Sequence, residues 1–296
     1  MNWAEIGTFL FMPADAMRMV EGAHRRGAGA IILDLEDAIA PSNKDAARAR
    51  LSASVAVLAG HGLVTVVRVN NDPARLIDDL RAAALPGVHA VILPKVATAA
   101  FCHYVDGALA AAERAAGLRE GSIGLVAAIE HPAAMRSLDA IAAATPRIVA
   151  LGFGSEDYAS AIGTRATLES MAMPAQAIAI AARGRGLAVL GVPGSVGIID
   201  DAEAFKALAR SAAAFGYTGI LCIHPRQVAL ADEALAPSAD AVARAGRIVA
   251  AFDASLAGGG GAVAVDGLMI DAPVAMQARR VLALAQRTRR GEREPG

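Results

Sequence analysis

The feature that most constrains the fold is a series of eight short apolar runs, each ending in a polar or turn residue. The runs are TFLFMP (8–13), AIILDLED (30–37), VTVVRVN (64–70), AVILPKV (90–96), GLVAAIE (124–130), IVALGFG (148–154), LAVLGVPG (187–194) and GILCIHP (219–225). They are too short for helices, and their Val, Ile and Leu content is typical of buried parallel strands. Because segments of helical spacing separate them, we predict an α/β fold, a TIM (β/α)8 barrel, over residues 1–236.

A doubly wound open sheet is the alternative fold. Such sheets usually have five or six strands and often carry a Gly-rich loop after the first. The first run here continues as FMPADAMRM, which matches neither GxGxxG nor GxxxxGK[ST]. The pattern therefore favours the barrel.

A C-terminal extension, residues 237–296, follows the eighth run. Its pattern predicts a helix over 238–256, a Gly-rich hinge with a short strand-like arm over 257–273, and a last helix over about 274–290. We expect the extension to pack on a neighbouring subunit. The alternative is that it folds back on its own subunit.

Composition excludes several classes of protein. The chain has 296 residues, 55% hydrophobic and 19% charged, with a formal net charge of −1, so it has no basic excess for nucleic acid. No apolar run approaches the roughly 20 residues that span a bilayer, and the start lacks a signal-peptide pattern. Cys102 and Cys222 lie far apart, as expected of reduced thiols in a cytoplasmic protein. A small molecule is therefore the expected ligand.

Charged residues collect where the predicted strands end. In a barrel of this class the carboxyl ends of the strands form the active-site face. The strand ends supply Asp34, Glu36, Asp37, Arg68, Lys95, Glu130, Glu156, Asp157 and His224. Alternation along the second strand predicts that Asp34 and Glu36 lie on the same side. Because neighbouring carboxylates repel, a positive group must sit among them, and Arg68, Lys95 and a divalent cation are the candidates.

Glu130 and Asp157 are the candidate metal ligands. They are separated by one βα unit, which places them on neighbouring strands about 5 Å apart. Carboxylate ligands with few histidines favour Mg²⁺, or alternatively Mn²⁺, over zinc. Such a site would leave positions open for water and substrate oxygens. The alternative is that Asp157 caps a helix start, and we expect the adjacent Glu156 to face solvent.

Lys95 invites a second mechanism, because the chain contains only three lysines. It is either a Schiff-base nucleophile or a pairing partner of the carboxylates, and the acidic rim favours pairing. Arg68 is expected to bind a substrate oxyanion, with a structural ion pair to Glu36 or Asp37 as the alternative.

The segment FLFMPADAMRMVEGAHRRGAGAIILDLEDAIAPSNKDAAR resembles the N-terminal pattern of the citrate lyase beta subunit-like family, within the HpcH/HpaI aldolase/citrate lyase superfamily. The later blocks VTVVRVN, AVILPKV, LVAAIEHP, LGFGSEDYASAIG, CIHPRQV and VDGLMIDAPV match in order, so the resemblance covers nearly the whole chain. It implies a TIM barrel, a Mg²⁺ ion on Glu130 and Asp157, and a carbon–carbon lyase acting on a 3-hydroxyacyl-CoA thioester of the malyl-CoA, citramalyl-CoA or citryl-CoA type. It also implies a homo-oligomer, a trimer or hexamer, in which Asp271 reaches the neighbouring subunit as acid/base.

Roles at the site follow from this chemistry. Cleavage of such a thioester yields a 2-oxo acid and an acyl-CoA enolate, whose charge or carboxylate Arg68 would pair. We expect Lys95 and Glu130 to bind substrate as well, and Arg18 to reach a CoA phosphate. Glu36 and Asp37 are expected to pair with Arg68 and Lys95 without contacting the substrate themselves.

Two alternatives and two departures remain. The chain could be an aldolase of 2-oxo-3-deoxy acids that works without CoA, or a beta subunit that works only with a separate acyl-carrier partner. DLEDA and the C-terminal MIDAP favour the thioester branch. The family pattern often has Asp near Gly191 and Arg-Ser at Gly7-Thr8, and we expect both places to line the substrate pocket.

Overall fold

The computed structural model describes residues 1–291, with side chains through residue 285. The chain divides into two compact units, one from Met1 to Ala234 and one beginning at Leu235. The boundary predicted from the sequence followed residue 236.

The first unit is a closed barrel of eight parallel strands, which confirms the predicted fold. Each strand pairs with the next, and β1 closes the barrel by pairing with β8, where Gly7 aligns with Gly219. The strands are β1 (Gly7–Pro13), β2 (Ala30–Asp34), β3 (Val64–Arg68), β4 (Val88–Leu93), β5 (Gly124–Ile129), β6 (Ile148–Phe153), β7 (Ala188–Gly191) and β8 (Gly219–Cys222).

Helices follow the strands around the barrel. They are α1 (Met17–Glu21), α2 (Lys44–Gly60), α3 (Pro73–Ala83), α4 (Ala99–Ala115), α5 (Leu138–Ala142), α6 (Ser155–Ala161), α7 (Leu168–Arg183), α8 (Ala202–Phe215) and α9 (Pro225–Leu235). Side chains cap several starts: Asp72, Thr98 and Asp201 each accept a backbone N–H of the following helix.

The barrel interior is an apolar core to which the strands contribute alternate residues. Its buried members include Phe9, Ile32, Val66, Ile92 and Val126. Since the side-chain period of a strand is two, the next inward position along each strand lies at the carboxyl-end mouth. Asp34, Arg68 and Glu130 occupy such positions, so the core alternation itself aims them at the mouth.

Seven of the eight strands end before the apolar runs that predict them, and two of these early ends bear on the site. β2 ends at Asp34 and β6 ends at Phe153, because the chain turns at Leu35 and begins α6 at Ser155. Glu36 and Asp37 therefore follow the strand, and the strand alternation proposed for Asp34 and Glu36 is wrong in that detail.

The second unit contains α10 (Ala239–Ala257), an antiparallel hairpin of β9 (Val263–Val265) and β10 (Leu268–Ile270), and α11 (Ala272–Gly291). The hairpin turns at Asp266-Gly267, both with positive φ, as a two-residue turn requires. The sequence analysis expected one strand-like arm here and missed the turn signal. Ile248, Phe252 and Ile270 lie in the unit's own apolar cluster.

Cys102 and Cys222 are buried free thiols in the barrel unit. Among residues 1–291, no helix has both the length and the apolar character that a membrane span needs.

Candidate active site

A cavity of about 530 Å³ lies at the carboxyl ends of the strands. Its charged lining residues are Asp34, Asp37, Arg68, Glu130, Glu156 and Asp157. The predicted rim is thus brought together around one cavity, except for the residues considered separately below.

Arg68, the last residue of β3, is held by the last residue of β2. Its Nε and Nη2 donate to the two carboxylate oxygens of Asp34 at 2.7 and 2.6 Å. The backbone N–H groups of Glu36 and Ala38 also donate to Asp34, each at 2.9 Å. The guanidinium carbon of Arg68 lies 4.8 Å from the ring centroid of Phe11. These contacts fix the plane of the guanidinium before any ligand binds.

The remaining nitrogen of Arg68, Nη1, faces two further carboxylates. It lies 3.2 Å from Glu36 Oε2 and 3.4 Å from Asp37 Oδ2. Burial opposes the charge of Arg68, but the hydrogen bond and charge of Asp34 outweigh it and raise its pKa. Arg68 is therefore a permanent cation. The ion pairs with Glu36 and Asp37 considered from the sequence are present, and binding of a substrate oxyanion stays a prediction.

Glu36 is buried and shared between two cations. Lys95 Nζ donates to its Oε1 at 2.9 Å, while its Oε2 makes no hydrogen bond within the described residues. Burial raises the pKa of Glu36, against the opposing charges of Arg68 and Lys95. Glu36 thus connects Arg68 to Lys95 behind the cavity wall.

Lys95 contacts the site in a way that the sequence did not suggest. Its φ of 54° is left-handed, and its backbone N–H donates to Glu130 Oε2 at 3.1 Å. Burial opposes the charge of the ammonium, but the hydrogen bond to Glu36 raises the pKa of Lys95 overall. A protonated amine is not a nucleophile, so this geometry favours the pairing role over the Schiff base. The side chain does not line the cavity.

Glu130 follows β5 directly and is buried at the cavity edge. Burial, together with the charges of Glu36 and Asp157, raises its pKa to about 8. Gly154, the residue after β6, lies so close that a Cβ there would meet Glu130 Cγ at 2.4 Å. The glycine therefore makes the space in which the Glu130 side chain lies.

Asp157 stands in the first turn of α6, four residues beyond the end of β6, and is half-buried in the cavity wall. The prediction that Glu130 and Asp157 lie on neighbouring strands is therefore wrong in that detail, because the chain has already begun the helix at Ser155. The cap position of α6 is Gly154, so the alternative that Asp157 caps the helix does not hold. β5 and β6 are paired with Ile129 opposite Phe153, which places Glu130 and the start of α6 side by side.

The carboxylates of Glu130 and Asp157 are ligands of the type that hard cations such as Mg²⁺ prefer. A cation between Glu130 and Asp157 would relieve the repulsion that contributes to the raised pKa of Glu130. Within the part of the chain that the structure describes, no group of three or more His, Cys, Asp or Glu side chains forms a complete metal site. Two protein carboxylates with the other positions left to water and substrate are the usual arrangement for Mg²⁺.

The other predicted residues are placed as follows. Asp37 and Glu156 are exposed at the rim, and Ser195 donates to Glu156 Oε1. Arg18 is exposed on α1 and is not among the residues that line the cavity. Asp271 belongs to the second unit, where its Oδ1 accepts the N–H of Val274 and caps α11. The predicted roles of Arg18 and Asp271 stay predictions.

The two departures from the family pattern lie at opposite ends of the barrel. Gly191 ends β7 and lines the cavity; its φ is 134°, and a Cβ there would meet a backbone oxygen of Phe153 at 2.8 Å. Gly7 and Thr8 begin β1, away from the mouth, and buried Thr8 accepts the N–H of Gly29. The expectation that Gly7 and Thr8 line the pocket is therefore wrong.

Asp34, Phe11 and Gly154 are the site residues that the sequence analysis did not assign. Asp34 was seen as part of an acidic cluster, and its inward register with Arg68, its partner across β2 and β3, was available from the strand pattern. Phe11 and Gly154 carry no chemical signal of their own, since their roles depend on packing across strands.

Comparison with known proteins identifies the family. The family model for HpcH/HpaI aldolase/citrate lyase matches residues 7–225. The chain belongs to the HpcH/HpaI aldolase/citrate lyase family. An L-malyl-CoA/beta-methylmalyl-CoA lyase of Cereibacter sphaeroides is 34% identical over 94% of this chain and 93% of its own length. A citrate lyase subunit beta of Leuconostoc mesenteroides subsp. cremoris is 29% identical over 94% of this chain and 92% of its own.

Among solved structures, protein CitE of Mycobacterium tuberculosis, in complex with magnesium, acetoacetate and coenzyme A, superposes with a TM-score of 0.77. It is 29% identical and covers 97% of this chain and 100% of its own. These matches confirm the family membership that was predicted from the sequence motifs.

Proposed function

We propose that this protein is a Mg²⁺-dependent carbon–carbon lyase that cleaves a 3-hydroxyacyl-CoA thioester into an acyl-CoA and a 2-oxo acid. The observation that carries the proposal is the pair Glu130 and Asp157, which follow the neighbouring strands β5 and β6 and line one cavity together with Arg68. The named activity of the Cereibacter sphaeroides lyase and the ligands of the CitE structure support it.

Glu130 and Asp157 would hold the cation, and the backbone N–H of Lys95 would keep the Glu130 carboxylate oriented. When bound, Mg²⁺ would act as a Lewis acid toward the carboxylate and adjacent oxygen of the oxo-acid half. Manganese would fill the same hard-oxygen site.

Arg68 would bind the oxygen on which negative charge develops. In the reaction the hydroxyl proton leaves, the carbon–carbon bond breaks, and the electron pair passes into the thioester enolate, which then takes up a proton. Asp34 accepts the N–H of Nε and one N–H of Nη2, and Nη1 faces Glu36 and Asp37, so the second N–H of Nη2 is left for substrate. Because Asp34 fixes its plane, little reorganisation accompanies the bond cleavage.

Asp271 would move the proton, and we expect it to do so in a neighbouring copy within a trimer or hexamer. Light scattering on the wild type and on an Asp271→Asn variant measures the oligomeric state, and the kcat of the variant measures the acid/base role. A variant that keeps the oligomer but loses activity supports the acid/base role apart from any effect on assembly.

A carrier-dependent subunit is the second candidate, because the Leuconostoc mesenteroides relative is a citrate lyase subunit beta. In that case the thioester would be carried by a separate acyl-carrier protein. The lyase site described above would be unchanged, and only the source of the thioester would differ.

The test is release of a 2-oxo acid from malyl-CoA or citramalyl-CoA by the purified protein with Mg²⁺, followed as a phenylhydrazone. Activity that is lost with EDTA and restored by Mg²⁺ supports the proposal. Activity that appears only when an acyl-carrier protein is added supports the second candidate. Activity that survives EDTA and is trapped at Lys95 by borohydride, or cleavage of 2-oxo-3-deoxy acids without CoA, contradicts it.

A further inference from the structure

The cavity continues below its charged rim onto an apolar floor. The floor residues are Phe11, Ile92, Val126, Ala128, Leu190 and Leu221. All six belong to, or pack against, the apolar cluster inside the barrel, so they point inward from five different strands. Gly152 lies among them and adds no side chain. A ligand that fills this volume must place an apolar group there, because water on an apolar floor lacks hydrogen-bonding partners.

The strand register decides which end of a substrate reaches the floor. Glu130 comes two residues after Ala128 along the chain, so its side chain lies directly above that of Ala128. In the proposed function, the carboxylate and the carbonyl oxygen of the oxo acid bind the Mg²⁺ that Glu130 and Asp157 would hold. The oxo acid then has one substituent left, and the open volume beside that substituent is the floor. The thioester has to point the other way, because coenzyme A is too large for a cavity of about 530 Å³ and must leave through the mouth.

The charges around the cavity argue against a second carboxylate on that substituent. Among the described residues that line the cavity, five carry carboxylates, namely Asp34, Asp37, Glu130, Glu156 and Asp157, and the one cationic side chain is Arg68. Asp34 holds Arg68 by two hydrogen bonds, the proposed function assigns the remaining Arg68 donor to the reacting oxygen, and the six floor residues offer no polar side chain. A second carboxylate lowered to the floor would therefore be desolvated without a partner, which is costly.

We propose that the floor binds an alkyl substituent of the 2-oxo acid, so that the preferred substrates carry an alkyl group of two or more carbons where a citryl-type substrate carries a carboxymethyl group. This inference rests on the proposed function, since it assigns the oxo-acid half to Glu130 and Asp157. Gly191 contributes to the same wall without a side chain, and its backbone conformation leaves no room for one.

The experiment is calorimetric titration of the full-length protein, in Mg²⁺, with pyruvate, 2-oxobutyrate, 2-oxopentanoate and oxaloacetate. Burial of each added methylene is expected to lower Kd by about fourfold, and oxaloacetate is expected to bind more weakly than 2-oxobutyrate. A series that is flat or that weakens with length would overturn the inference, as would oxaloacetate being the tightest ligand.

Gly152→Ala tests the position of the floor. Its Cβ would lie 3.7 Å from Ala128 and Val126, an ordinary contact, so the variant is expected to fold while losing volume where the alkyl group binds. The preference for 2-oxopentanoate over pyruvate should fall by about fourfold or more, the effect of one methylene. The matched control is Gly107→Ala on the exposed side of α4, where nothing lies within 4 Å, and its preference should equal that of the wild type.

An unchanged preference in Gly152→Ala would overturn the inference. The titration does not need turnover, so the inference and the proposed function fail separately. A protein that binds the alkyl series as described but cleaves no thioester contradicts the lyase. A protein that cleaves malyl-CoA but shows a flat series retains the lyase and loses the alkyl floor.

Discussion

Replacing Asp34 with asparagine is expected to damage both the barrel and its active site, because this carboxylate joins them. Asp34 is 1% exposed in its side chain and accepts four N–H groups, two from Arg68 and two from the backbone of Glu36 and Ala38. Asparagine keeps one acceptor oxygen and turns a donor NH₂ group toward the remaining donors. The substitution therefore removes the ion pair and leaves the charge of Arg68 partly uncompensated.

The size of the effect follows from this geometry. Breaking a buried ion pair by removing one partner costs about 3–5 kcal/mol. Arg68 keeps Glu36 and Asp37 within 3.2 and 3.4 Å of Nη1, so we expect the lower end, about 3 kcal/mol, in the free energy of unfolding. The lyase rate should fall as well, since a guanidinium released from Asp34 has to be ordered in every turnover.

Urea unfolding monitored by circular dichroism measures the stability loss. A double-mutant cycle with Arg68→Met isolates the pair, and we expect a coupling free energy of about 2–3 kcal/mol. The matched control is Asp78→Asn, which removes an exposed ion pair with Arg81 and should cost less than about 1 kcal/mol. Additive effects of Asp34→Asn and Arg68→Met would refute the reasoning, because the two residues would then act independently.

Three further predictions concern the barrel, the arm and the cavity wall. Burial opposes ionisation of Glu113, but hydrogen bonds from Arg147 and the backbone outweigh it and lower its pKa. Ionised Glu113 therefore stabilises the fold above its ordinary pKa of 4.5, and this stability is lost as the pH falls through the lower pKa of the folded state. The difference in unfolding free energy between the wild type and Glu113→Gln should shrink below that pH. Asp271→Asn should lower kcat about 100-fold or more while melting like the wild type, because asparagine also caps the N–H of Val274; an unchanged kcat would contradict the acid/base role. Gly191→Ala should lower the free energy of unfolding by about 1–3 kcal/mol, since its φ of 134° and a carbonyl oxygen 2.8 Å from the added Cβ both oppose a side chain; equal stability would show that the turn adapts.

Much of the barrel could be predicted because its signals are local. Eight Val-, Ile- and Leu-rich runs separated by helical segments identify the fold, and the strand starts at Ala30, Val64, Gly124 and Ile148 agree with the structure. The ends were less accurate, since whether a chain continues as a strand depends on its neighbours. β2 stops at Asp34 because that side chain bonds the next backbone N–H groups and so turns the chain.

The partners within the site were harder to predict than the residue types. Ionisable residues at six of the eight strand ends were visible in the sequence, but which carboxylate holds Arg68 depends on register between strands. Lys95 shows the limit most clearly, because its contribution to Glu130 comes from a backbone N–H in a left-handed conformation. No residue pattern marks that contact, and the side-chain role inferred from its rarity concerns a different partner, Glu36.

In the proposed mechanism Glu130 and Asp157 together bind the Mg²⁺ on which carbon–carbon cleavage depends. Calorimetric titration of the metal-free protein with Mg²⁺ tests it most directly, comparing the wild type with Glu130→Gln, Asp157→Asn and the adjacent Glu156→Gln. Glu156 is the matched control, since it lies one residue from Asp157 at the cavity rim but is exposed and bonded to Ser195. We expect at least about 10–100-fold weaker Mg²⁺ binding in the first two variants and wild-type binding in the third. Wild-type affinity in Glu130→Gln or Asp157→Asn would contradict the proposed mechanism.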